Sequence, residues 1–174
     1  IGVVSSAGIG IEAFWNSLLN GVPGNGFSIE DFDPLPFFAG NAKEARRADR
    51  FQQLALAATH EAITQAGDFI MDPSAVGSMI GTGVGGLGTL ENQVKVLLDK
   101  GPRRVSPFLV PMMMANAASA SVSMTYGLQG PCETIVTACA AGTHSIGRAA
   151  ELIRSRKVKA MVAGGAEATL TPIG

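Results

Sequence analysis

With only two cysteines in 174 residues, the chain has no disulfide framework to hold it together. Cys132 and Cys139 fall at opposite ends of one predicted strand, too far apart for an unstrained bridge. Such sparse usage fits a reducing, cytoplasmic compartment better than a secreted scaffold. Charge is scarce too. Only 16% of residues are charged and the formal net charge is −1, so no global field points to nucleic acid or a membrane surface. No apolar run reaches transmembrane length, and no tripartite signal pattern opens the chain. Internal repeats and low-complexity linkers are missing, and without a GK[ST] triplet a P-loop is excluded.

What the chain does have is apolar bulk. At 47% hydrophobic it is long enough for one domain, residues 1–174, with a real core and further burial against a partner. Periodicity predicts helices near 11–20, 45–66, 88–99, 111–126 and 141–156, the second stopped by Gly67 and the fourth by Gly127. Apolar runs at 76–80, 133–138 and 159–164 read as strands too greasy to face water. The mixture predicts an α/β fold with layered sheet and helices. Residues 21–41, with Pro23, Pro34, Pro36 and four glycines, read as an irregular, exposed loop. The abrupt start at Ile1 and the stop after Pro172-Ile173-Gly174 read as the cut ends of a longer protein.

Cys139 lies where the predicted strand changes to the predicted helix. There, unpaired backbone N–H groups and the helix dipole favour an anion, and the thiolate is the reactive form of cysteine. Ala138, Ala140, Ala141 and Gly142 leave room at the sulfur, as covalent catalysis requires. A buried, inert cysteine is the competing reading. His144 follows by five residues, which on a helix turns it about 140° away; it and His60 read as structural or surface histidines, leaving the thiol without a general base. Gly81-Thr82-Gly83-Val84-Gly85-Gly86 matches the GxGxxG fingerprint, but no acidic residue closes a following strand. A tight turn that lets backbone approach another surface accounts for it better than a nucleotide site. The basic stretch from Lys43 to Arg50 reads either as a solvated helix start or as a landing patch for an acidic partner.

Five stretches, taken in order, carry a resemblance. They are Gly81 to Gly88, Ser106 to Pro111, Tyr126 to Pro131, Thr137 to Gly147 and Ala163 to Glu167. Together they resemble the N-terminal half of the β-ketoacyl-[acyl-carrier-protein] synthases, especially the type II elongating class. The resemblance implies a thiolase-like fold of which this chain supplies most of the first half, without its first strand and without the second half. It implies that Cys139 is the acyl-accepting nucleophile, and that Val84 and Met114 line an acyl pocket. It further implies that Leu109 reaches across a homodimer and that Lys43, Arg46 and Arg47 dock an acidic acyl-carrier protein. No metal or organic cofactor is implied, since acyl groups arrive on the carrier's phosphopantetheine. The catalytic histidines would lie beyond residue 174, so the fragment alone would not condense. Cys132 reads as an incidental small residue. Two other readings stand beside this one: a non-catalytic, chain-length-setting partner of a ketosynthase, which typically lacks the cysteine, and a nucleotide-binding module.

Overall fold

The computed structural model describes residues 1–21, 28–29, 31–68 and 72–174. Much of the predicted 21–41 loop, Pro23 among it, lies outside the described residues. Three parallel strands make the central sheet: β3 (Val76–Gly81) runs between β4 (Cys132–Glu133) and β5 (Ala160–Gly165). Every residue of β3 is buried, as expected of a parallel strand covered on both faces. Its alternation assigns the layers. Val76 and Ile80 face a cluster containing Phe51, Leu56, Ala118 and Val122, which come from α3 (Arg50–Ala66) and α6 (Ala117–Tyr126). Met79 faces the opposite way, towards Ala149, Leu152 and Val158, the first two on α7 (Ala141–Arg154).

A hairpin of β1 (Val4–Ser5) and β2 (Gly8–Ile9) stands apart from this sheet and leads into α1 (Ile11–Asn20). Gly10 provides no side-chain cap for α1. Glu61 of α3 fills that role from outside, accepting hydrogen bonds from the Val3 amide (2.9 Å) and the Ile11 amide (2.7 Å).

Two helices predicted as continuous are broken, each for a local reason. The 45–66 segment divides into α2 (Ala42–Ala45) and α3. Asn41 caps the first through the amides of Lys43 and Glu44, and Asp49 caps the second through the Phe51 amide. The 5% exposed Asp49 also accepts from the amide (3.0 Å) and hydroxyl (2.5 Å) of Thr89, in the first turn of α4 (Leu87–Lys100). One carboxylate thus satisfies donors at two helix starts. The 111–126 segment begins earlier and divides into α5 (Leu109–Met113) and α6. Carbonyls at the end of α5 are taken by other elements: Met112 O accepts from Gln52 Nε2 (2.8 Å) and Met113 O from the Gly86 amide (3.1 Å). Gly127 closes α6 in the left-handed conformation, the role its position predicts.

The predicted 133–138 strand is also shorter than expected. The Ser119 hydroxyl of α6 inserts at the edge of the ladder, accepting from the Ile80 amide (2.8 Å) and donating to the Glu133 carbonyl (2.8 Å). Pairing resumes for one bond, from the Thr82 amide to the Ile135 carbonyl (3.2 Å), before the chain turns away. Within the 21–41 loop, residues 35–38 form a 3-10 turn whose Phe37 and Phe38 pack against the core. That part is not simply an exposed loop.

Candidate active site

Cys139 occupies a short 3-10 turn, Ala138–Ala140, that joins the end of the β4 segment to α7. Ala138 has φ of 50°, a left-handed conformation that an alanine adopts only under constraint. The bend directs the following residue out of the sheet, and Cys139 is exposed with a free thiol. The inert-core reading of this cysteine is thereby set aside. Cys132, at the sheet edge, is also exposed and free.

The start of α7 lies on the carboxyl ends of β3 and β5, where α/β sheets hold their ligands. Close approach makes this possible. A Cβ on Gly81 would fall 2.5 Å from the Ala141 carbonyl, and one on Gly165 would fall 2.8 Å from Gly142 Cα. The glycines of the 81–86 turn serve the same end, because those at 85 and 86 abut the carbonyls of Met113 and Met112. This is the backbone approach that the sequence suggested for them.

Around Cys139 is a groove of about 630 Å³, lined by Gly83, Val84, Ala141, Ile146, Ala166 and Glu167 among others. Val84 is 56% exposed there, as is Ile146 at 57%, so the walls offer unpartnered apolar surface. Met114, expected beside Val84, caps the end of α5 and does not line this groove. Leu109 begins α5, half-buried and also off the groove. Lys43 and Arg46 are exposed. Arg47 is engaged within the chain: it pairs with Glu44 at 3.2 Å, and its guanidinium lies 4.0 Å from the centroid of the Phe108 ring.

Neither histidine is placed as a partner of the thiol. His144 Nδ1 is 2.8 Å from Thr137 Oγ1, so this pair brackets the turn that carries Cys139. His60 stacks edge-on against Phe37 and lies 3.3 Å from the Tyr126 hydroxyl, whose pKa burial raises. Two groove residues had no role in the sequence reading. Ile146 lies on α7 seven residues after Cys139, about two helical turns' spacing, which could have revealed it. Glu167 was visible only as the end of a motif. It accepts from the Gly83 amide (2.5 Å) and the Thr82 hydroxyl (3.2 Å), contacts between segments 84 residues apart that no local pattern encodes.

Residues 24–174 match the family model described as the N-terminal domain of β-ketoacyl synthase. A 3-oxoacyl-[acyl-carrier-protein] synthase 2 from Synechocystis is 40% identical over 99% of this chain and 45% of its own length. One from Staphylococcus aureus is 42% identical over 98% and 45%, and one from Vibrio harveyi 40% over 100% and 46%. The chain therefore spans a little under half the length of these relatives. Among solved structures it resembles a type II polyketide ketosynthase, bound to a hexaketide and in complex with its acyl-carrier protein (TM-score 0.86, 23% identity, covering 99% of this chain and 50% of that one). A β-ketoacyl synthase from Burkholderia phymatum is similar as well (TM-score 0.74, 24% identity, 99% and 46%). At those identities the likeness speaks to the fold alone, and it agrees with the expected thiolase-like α/β architecture. The ordered motifs, the layered sheet and the sequence relatives together place this chain in the β-ketoacyl synthase family, as its N-terminal domain.

Proposed function

We propose that the whole protein is a β-ketoacyl-[acyl-carrier-protein] synthase that lengthens acyl chains for fatty-acid or polyketide synthesis, with Cys139 as its nucleophile. The observation that carries this reading is the exposed thiol of Cys139, held on a bent turn at the start of α7 and facing an apolar-walled groove. In the first half-reaction the thiolate attacks the carbonyl of an acyl thioester on the carrier's phosphopantetheine. A new C–S bond forms, the carrier's sulfur leaves and takes up a proton, and the Cys139 backbone N–H stabilises the oxyanion. In the second, malonyl-carrier protein loses carbon dioxide. The carbanion attacks the acyl-enzyme carbonyl and expels the Cys139 thiolate, giving a β-ketoacyl product two carbons longer. The two histidines that assist decarboxylation belong to the family's second half. The reaction as written calls for no metal or organic cofactor.

The acidic carrier would dock near Lys43 and Arg46, with Arg47 more committed to Phe108 than to a partner. A cytoplasmic homodimer is the setting we propose, from the resemblance to the family. Among the described residues no helix is long and apolar enough to cross a membrane. The test is to incubate the whole protein with acyl-carrier protein and then with malonyl-carrier protein. Peptide mass spectrometry should place the acyl group on Cys139, and Cys139→Ala should abolish both acylation and elongation. Elongation by Cys139→Ala at the wild-type rate would overturn the assignment.

A further inference from the structure

Among the described residues Glu167 is the one carboxylate lining the Cys139 groove, and it joins no ion pair there. Instead it binds backbone. Its oxygens accept from the Gly83 amide (2.5 Å) and the Thr82 hydroxyl (3.2 Å), and Thr82 Oγ1 accepts in turn from the Gly85 amide (3.2 Å). The next residue back, Ala166, donates its amide to the Gly81 carbonyl (3.0 Å). These bonds tie the 81–85 turn to the segment that follows β5. The turn is wedged between the carboxylate and the bend beside Cys139: a Cβ on Gly83 would lie 2.7 Å from Glu167 Oε2 and 3.5 Å from Ala138 Cα. At its tip is Val84, an exposed wall of the groove.

We infer that Glu167 is a positioning residue: by anchoring the turn it sets how far Val84 stands from the Cys139 thiol, and so the size of acyl group the groove admits. The acyl part rests on the proposed ketosynthase function, but the anchoring does not. Charge-assisted bonds to backbone amides are short and directional, which suits a carboxylate to this task. A glutamine keeps an acceptor for the Gly83 amide, whereas an alanine keeps none.

The probes are N-methylmaleimide and N-octylmaleimide, with alkylation of each cysteine followed by peptide mass spectrometry on the whole protein. Cys132, exposed and outside the groove, is the internal reference. In wild type the octyl-to-methyl rate ratio at Cys139 should differ from that at Cys132, because Cys139 lines the apolar-walled groove and Cys132 does not. Glu167→Ala should move the Cys139 ratio towards the Cys132 value by about tenfold, the lower end for one charge-assisted hydrogen bond. Glu167→Gln should retain most of the wild-type ratio. Should the alanine variant fail to fold by circular dichroism, Thr82→Val removes the linking hydroxyl at nearly constant volume and should shift the ratio the same way. A ratio within about twofold of wild type in the folded variants, or a glutamine variant shifted as far as the alanine, would overturn the positioning role. Transfer from hexanoyl- and palmitoyl-carrier proteins runs in parallel. If wild type accepts neither while the maleimide ratio still shifts, the ketosynthase reading fails and the anchoring stands.

Discussion

Adding one methyl group at Gly81 should disturb the Cys139 turn from beneath. The new Cβ would lie 2.5 Å from the Ala141 carbonyl oxygen, 2.6 Å from Ser145 Oγ and 2.7 Å from the Ala141 carbonyl carbon. The fully buried Ser145 side chain has little freedom to turn aside, and the two Ala141 atoms are helix backbone, which cannot. Relief to an ordinary 3.4 Å contact requires the first turn of α7 to rise by about 0.9 Å, the difference between 3.4 and 2.5 Å. Overpacking of this kind typically costs about 1–3 kcal/mol. For a chain of this length that lowers the melting temperature by roughly 3–10 °C. The displaced turn follows Cys139 directly, and a shift approaching an ångström at a reacting centre can reduce rate by about a hundredfold. Gly147, on the same helix, is the control: nothing lies within 4 Å of a Cβ there. Gly147→Ala should therefore stabilise by up to about 1 kcal/mol through helix propensity. Thermal unfolding by circular dichroism and iodoacetamide labelling of Cys139 measure the two consequences separately. If Gly81→Ala melts and labels like wild type, the close packing of α7 on β3 is not what positions the thiol.

Three further outcomes follow from the same contacts. Asp49→Ala removes the cap of α3 and leaves the Thr89 amide and hydroxyl without their acceptor. It should cost about 2–4 kcal/mol in urea unfolding, and a loss below about 1 kcal/mol would show that the two helix starts do not depend on it. Glu91 is held below its ordinary carboxylate range, chiefly by the 2.6 Å bond from Lys95, with burial opposing. A depressed folded-state pKa means that its contribution is present above the unfolded value, about 4.3, and is lost as pH falls through the lower folded value. The stability gap between wild type and Glu91→Gln should therefore narrow from pH 7 down to about pH 3, and a gap constant across that range would refute it. Reversing Lys43 and Arg46 to glutamate should slow association with an acidic carrier protein by about tenfold at low salt and much less at high salt. Stopped-flow binding that shows no change would remove these residues from the docking surface.

The local features were legible. α1 spans Ile11–Asn20 as periodicity predicts, and Gly127 ends α6 as its position suggests. Cys139 lies on a bend before a helix because a strand-like run meets a small-residue helical run at that point. Less legible were the interruptions. Helix periodicity continues through Asp49 and through Met114, and only Thr89, Gln52 and the Gly86 amide, distant in sequence, make a break favourable at each. Likewise the residues of the β4 segment suit an extended strand, yet the Ser119 hydroxyl from another helix interrupts its ladder.

By itself, then, the sequence determined the α/β class, the glycine-rich turn and the bend that carries Cys139. These depend on residue type and short spacing, which a linear chain displays directly. Tertiary structure alone decided what surrounds the sulfur. It brought Val84, Ile146 and Glu167 to one groove, left Met114 off it, and drew Arg47 onto Phe108. The physical reason is that wall residues are selected by which strand ends and helix starts meet in space. That meeting is governed by close packing and by hydrogen bonds between segments tens of residues apart.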